Sequence, residues 1–167
     1  GSFSGFSAAF PLLIKTLYGH FPDAPDPLRY AFLGPLIGST IRVVMGPPSD
    51  KWGGAVFTHL SGVGLLLCGI AVTFFMTPSS LATFPWFVLA MLGLFFFAGV
   101  GNASTFRQIP VIFEPRQAGG VLGWTGAIAA YGPFLFAALI GGVISKTGNP
   151  KLFFYGISLF YILNIGL

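Results

Sequence analysis

Arg42 is the residue of this sequence whose type and position most directly indicate chemistry. It lies in the apolar run 28–45, and an arginine at membrane depth costs roughly 2.5–3.5 kcal/mol on insertion scales, so such residues generally mark functional sites. A helix starting at Leu28 would place Arg42 roughly 20 Å along its axis, at ~1.5 Å per residue. The four carboxylates of the chain all fall in or beside predicted loops: Asp23, Asp26, Asp50 and Glu114. Arg42 therefore has no evident counter-ion in this sequence.

The guanidinium of Arg42 suits one class of ligand in particular. It is planar, permanently charged and forked, so it can donate two parallel hydrogen bonds to a small planar oxyanion. The sequence thus predicts a mobile anion as its partner, although Arg42 could instead cap backbone carbonyls or pair with an acid outside this sequence. His59 is the one candidate for a buried proton relay, and its place near a helix start favours an interfacial role. Fixed positive charge without a proton acceptor favours exchange of one anion for another.

The segment GPPSDKWGG, which follows the Arg42 helix, is predicted to be a turn. It contains Gly46, Asp50, Lys51 and Gly54, and Gly, Pro and Asp are the residues that favour turns. One interpretation is a solvated loop. The other is a gating loop, a clamp that permits or resists sliding of the helices it joins.

Two stretches, GVGNASTF and AGGVLGWTGAIAAYGP, concentrate small residues. Small side chains at regular spacing allow close packing of membrane helices. They could equally form a smooth wall along a substrate path. The candidate residues are Gly101, Asn102 and Ser104 in the first stretch, and Gly120, Gly123 and Gly126 in the second. Arg107 directly follows the first stretch and is expected to extend its side chain toward the membrane interface.

Composition identifies the elements that must position these residues. The chain is 54% hydrophobic and 7% charged, whereas soluble domains carry about 25% charged residues. We therefore predict an all-α integral membrane protein in a lipid bilayer. Spans of ~20 residues leave room for six helices, at residues 1–17, 28–45, 55–76, 84–113, 121–145 and 151–167. Apolar segments at both ends predict a portion of a larger membrane protein.

Several classes of function are disfavoured. The net charge of +4 is spread along the chain without a basic block, so no nucleic-acid partner is expected. The sequence offers no nucleophile–base pair and no metal-ligand cluster, so we expect neither an enzyme, a metal site nor a cofactor.

A weak internal repeat indicates how the six helices are organised. Three residues of one half recur at a constant offset in the other: Gly46, Lys51 and Gly53 as Gly141, Lys146 and Gly148. Because each unit would contain three helices, the second must be inverted. This predicts a 3+3 inverted repeat of the kind found in transporter halves.

Several motifs, in order, resemble the nitrate/nitrite porter family of the major facilitator superfamily. YAFLGPLIGSTIR followed by GPPSDKWGG looks like its helix eight and the following loop. GSFSGFSAAF, AGVGNASTFRQIPVIF and GGVLGWTGAIAAYGPF are similar to its helices seven, ten and eleven. The resemblance implies the C-terminal half of a 12-span bundle in the inner membrane, with the N-terminal half missing here.

The same resemblance implies roles for individual residues. Arg42 matches one of two arginines that clamp the anion in this family, and Gly123 matches the first glycine of the helix-eleven nitrate signature. The implied function is nitrate–nitrite exchange by alternating access, with nitrate and nitrite as partners. Nitrate–proton symport remains an alternative, as does a truncated, non-transporting membrane protein that packs against a partner.

Overall fold

A computed structural model describes residues 1–166, which form helices and turns without any strand. Nine α-helices follow one another over that range: α1 Ser2–Tyr18, α2 Pro27–Ala31, α3 Leu33–Val44, α4 Gly46–Trp52, α5 Gly54–Thr73, α6 Phe84–Ile112, α7 Pro115–Ala130, α8 Gly132–Thr147 and α9 Lys151–Gly166. A short 3₁₀ turn, Leu81–Thr83, leads into α6. The predicted all-α class is confirmed.

Three helical stretches are long and apolar enough to cross a bilayer: Gly54–Thr73, Leu81–Ile112 and Pro115–Thr147. The last of these joins α7 and α8, which meet at Tyr131 just before Pro133. The interruption at Tyr131 fits the proline that follows, which cannot donate a helix hydrogen bond. The predicted division into six spans stays a prediction for the shorter helices.

Helix ends follow from local residue chemistry. The Asp26 side chain accepts a hydrogen bond of 3.0 Å from the Leu28 backbone N–H, and Pro27 occupies the first helical position, the arrangement that the sequence favours at a helix start. Gly53 ends α4 with φ 89° and Gly148 ends α8 with φ 72°. These backbone angles suit glycine because it has no Cβ to clash.

The turn predicted at GPPSDKWGG is wrong, because residues 46–52 form α4. Prolines near the start of a helix remove only N–H groups that have no partner within the helix, so Pro47 is tolerated there. The Ser49 hydroxyl donates to the Met45 carbonyl at 2.6 Å, which supports the first turn. The gating residues Gly46, Asp50 and Lys51 therefore lie on a short helix, and Gly54 begins the next one.

Other predicted boundaries also shift. Residues 114–120 lie between the predicted helices 84–113 and 121–145, but they are helical from Pro115. Proline again fits a first helical position. The predicted helix 55–76 ends as an α-helix at Thr73. Beyond it, Phe74 and Phe75 bond to carbonyls three residues back, which tightens the last turn as helix ends commonly do. The predicted helix 28–45 is interrupted at Phe32.

The long helix α6 lies at the centre of the bundle. It packs against α5, α3 and α1, while α5 also packs against α9, and α1 against α8. The core between α1 and α6 is rich in fully buried aromatic rings, including Phe10, Phe87 and Phe95. Many large apolar side chains point outward, such as Leu28 and Val43. An exposed apolar surface of this kind fits a protein whose solvent is lipid.

Candidate anion-binding site

Glycines bring α3 close to α6 and thereby fix the position of Arg42. A Cβ placed on Gly99 of α6 would lie 2.6 Å from the carbonyl oxygen of Gly38, so the two backbones are in contact. Gly34 faces the ring of Phe95 in the same way. Residues four apart share one face of a helix. Arg42 therefore follows Gly34 and Gly38 along the side of α3 that meets α6.

The Arg42 guanidinium lies over an aromatic ring. Its central carbon is 5.8 Å from the ring centroid of Phe106 on α6, within the ≈6 Å reach of a cation–π interaction. Within residues 1–166, the ion pairs are Arg29 with Asp26, at 3.8 Å, and Arg107 with Asp50. Arg42 is exposed and has no carboxylate partner in that range, as the positions of the acids in the sequence predicted.

The residues predicted as a gate hold α4 and the start of α5 onto one stretch of α6. A Cβ on Gly46 would lie 2.6 Å from an Nη atom of Arg107, and one on Gly54 would lie 2.5 Å from Cγ of Gln108. The Asp50 carboxylate pairs with the Arg107 guanidinium. Lys51 instead lies 5.7 Å from the ring centroid of its neighbour Trp52.

From its position in the sequence, we expected Arg107 to extend toward the membrane interface. The structure shows in addition that Arg107 pairs with Asp50. Its guanidinium lies against Gly46 and donates to Asp50, 57 residues away along the chain. No local sequence signal links two residues at that separation. Their pairing depends on the packing of α4 against α6.

The small residues predicted on α6 contact neighbouring helices. Gly101 faces the hydroxyl of Ser61 on α5, and the Ser104 hydroxyl lies 2.9 Å from that of Thr58. Ser61 itself donates to the Phe97 carbonyl at 2.6 Å. These contacts fit the packing interpretation, since small and hydroxyl side chains join membrane helices. Whether Gly101 and Ser104 also line a substrate path stays a prediction.

The small residues predicted on α7 are in a different environment. A Cβ on Gly120, Gly123 or Gly126 would meet no atom within 4 Å among the described residues. Ala118 is the buried residue of this helix. The α7 glycine face is thus open within residues 1–166, and the predicted role of Gly123 in anion binding stays a prediction.

A cavity of about 560 Å³ lies where the beginning of α1 meets α5, α6, α7 and α9. Its polar lining includes Thr58, His59, Asn102, Thr125 and Asn164. The Asn102 side-chain oxygen is buried and, among residues 1–166, has no hydrogen-bond partner. Phe106 lines the cavity and also contacts Arg42. Sequence reasoning missed Phe106, because one phenylalanine among 20 carries no distinguishing signal.

No protein-family model matches the chain, but individual proteins of known family are similar to it in sequence. The chain is 60% identical over its full length to a probable nitrate/nitrite antiporter, NarK2, of Thermus thermophilus. It is 35% identical over 90% of its length to the nitrate/nitrite transporter NarU of Salmonella typhimurium. Its identity to NarU of Escherichia coli is 34% over 97% of its length.

The chain spans 38%, 36% and 39% of the lengths of these three relatives, and the matched region is a C-terminal portion of each. The similarity extends through α3, which carries Arg42, and through the glycine-rich helices α6 and α7. This chain therefore belongs to the nitrate/nitrite porter family of the major facilitator superfamily.

Proposed function

We propose that this chain is the C-terminal half of a nitrate/nitrite transporter in the inner (cytoplasmic) membrane. It acts with an N-terminal half to exchange nitrate for nitrite by alternating access, and Arg42 binds the anion. The observation that carries the proposal is the environment of Arg42, a cation on the apolar helix α3 that lies over an aromatic ring and, among residues 1–166, has no carboxylate partner. The names of the relatives support nitrate and nitrite as the transported anions.

The chemistry of Arg42 fits such a ligand. Nitrate is flat and singly charged, so two of its oxygens can accept parallel hydrogen bonds from one guanidinium. A carboxylate partner would occupy the same donors. The ring of Phe106 does not occupy the N–H donors of Arg42 as a carboxylate would. The N–H groups of the guanidinium therefore remain available to the anion. Gly123 and the open α7 face would provide a wall of backbone beside the same path.

Counterflow tests this proposal. Proteoliposomes containing the complete transporter are loaded with nitrite, and uptake of labelled nitrate is followed. We expect uptake that requires internal nitrite and occurs without net movement of protons. Equal uptake into nitrite-free vesicles, accompanied by alkalinisation of the outside medium, would contradict exchange.

Nitrate–proton symport is the second candidate, and one observation favours it. His59 lines the cavity together with the side-chain oxygen of Asn102, which has no hydrogen-bond partner in residues 1–166, and histidine is a common proton carrier in proteins. The counterflow experiment discriminates the two modes, since symport requires proton uptake and proceeds without internal nitrite.

The other class to be tested is a membrane protein that packs against a partner and transports nothing. Reading the gene upstream of Gly1 discriminates it from a transporter. We expect six further apolar segments containing a second intramembrane arginine. An upstream region without them would favour the non-transporting protein.

A further inference from the structure

The contact between Arg42 and Phe106 lies between two fixed points, one where α3 meets α6 and one where the first residue of α4 meets α6. One turn before Arg42, the carbonyl of Gly38 touches the backbone at Gly99. One turn after Arg42, Gly46 receives the guanidinium of Arg107, which also pairs with Asp50. Because both points are closely packed, α3 and α6 cannot slide past each other without breaking one of them. Phe106 is thereby held opposite Arg42.

A ring face is an unusual support for a cation on an apolar helix, because it uses none of the hydrogen-bond donors of the guanidinium. The attraction comes from the negative face of the ring and acts on the whole guanidinium. It restricts where the cation lies and leaves its N–H groups free. A carboxylate at the same place would hold the cation more strongly, but it would compete with an incoming anion for those groups.

We propose that Phe106 is a positioning residue for anion binding, whose ring face holds the Arg42 guanidinium in place while leaving its donors available to nitrate. This inference rests on the proposed function, in which Arg42 binds the anion. It predicts that weakening the ring face lowers nitrate affinity more than the maximal rate of transport. Replacing the ring by another aromatic side chain should preserve affinity.

The test uses the complete transporter in proteoliposomes and measures nitrate uptake over a range of concentrations. Phe106→Leu should raise KM roughly threefold to tenfold, a range between the exposed and the desolvated limits for loss of a cation–π contact, with the maximal rate changed less than about twofold. Phe106→Trp should remain near the unmodified KM, since tryptophan offers the strongest ring face. Phe96→Leu is the matched control, because Phe96 is also half-buried on α6 and its ring contacts Phe97.

A second series keeps the side-chain shape. Phenylalanine analogues with one, two and three ring fluorines at position 106 withdraw charge from the ring face stepwise, so KM should rise with each fluorine. This series remains informative if Phe106→Leu does not fold. A KM that is constant along the fluorine series, or a Phe106→Trp variant as impaired as a folded Phe106→Leu variant, would overturn the inference.

An Arg42→Lys arm separates failure of this inference from failure of the proposed function. If Arg42→Lys transports nitrate normally, the anion-binding role of Arg42 is wrong, and the positioning role of Phe106 is wrong with it. If Arg42→Lys abolishes uptake while the fluorine series leaves KM unchanged, the positioning role alone is wrong.

Discussion

The glycine faces of α6 and α7 look alike in sequence but lie in different environments. On α6, Gly99 touches the backbone of α3 and Gly101 faces Ser61 of α5. On α7, Gly120, Gly123 and Gly126 face space that the described residues leave open. The glycine face of α6 therefore packs against neighbouring helices, whereas the glycine face of α7 has no packing partner within residues 1–166.

This difference separates two roles that composition cannot distinguish. A glycine that touches another backbone sets the distance between two helices, and on α6 that distance fixes where Arg42 lies relative to Phe106. A glycine that touches nothing in residues 1–166 has no structural requirement there to lack a side chain. The α7 glycines are thus the better candidates for a contact outside residues 1–166, either with an anion or with another part of the complete protein.

Gly99→Ala is the substitution with the largest expected effect on this difference between α6 and α7. The new methyl group would lie 2.6 Å from the Gly38 carbonyl oxygen, and backbone on both sides leaves little room to adjust. We expect a loss of about 1–3 kcal/mol in the free energy of unfolding, as for other overpacked sites, measured by thermal unfolding in detergent. An unchanged transition would show that α3 and α6 are further apart than described.

The opposite result is expected for Gly120→Ala and Gly126→Ala, which serve as matched controls on α7. The added methyl groups meet nothing within 4 Å in the described part of the chain. Alanine also favours a helix over glycine by about 1 kcal/mol at most. Each variant of this 167-residue chain should unfold at the same temperature or slightly higher. A clear loss of stability would show that the α7 face is already packed.

Sequence reasoning identified the parts of this molecule that depend on composition and on local chemistry. The scarcity of charge predicted the all-α membrane class. The helix start predicted at residue 28 is close to the observed one, where Asp26 is the N-cap and Pro27 the first helical residue. The four acids lie in or beside the predicted loops, which predicted that Arg42 would have no carboxylate partner, and none is present within residues 1–166.

Features that depend on tertiary packing could not be predicted in this way. GPPSDKWGG has the residues of a turn, yet its residues 46–52 are helical. Met45, which joins this helix to α3, keeps backbone angles close to those of a helix. The pairing of Asp50 with Arg107 and the choice of Phe106 as the support of Arg42 both arise from the docking of distant helices. For the same reason, sequence alone could not show which glycine face is filled.

The most direct test of the anion-binding role of Arg42 is the affinity of the purified complete transporter for nitrate, measured calorimetrically for Arg42→Lys. Lysine keeps the charge but loses the planar fork, so affinity should fall at least about tenfold, the equivalent of one charge-assisted hydrogen bond. Arg29→Lys is the matched control, since Arg29 is exposed and lies beside Asp26, and it should bind nitrate normally. Unchanged nitrate affinity in a folded Arg42→Lys protein would contradict the account.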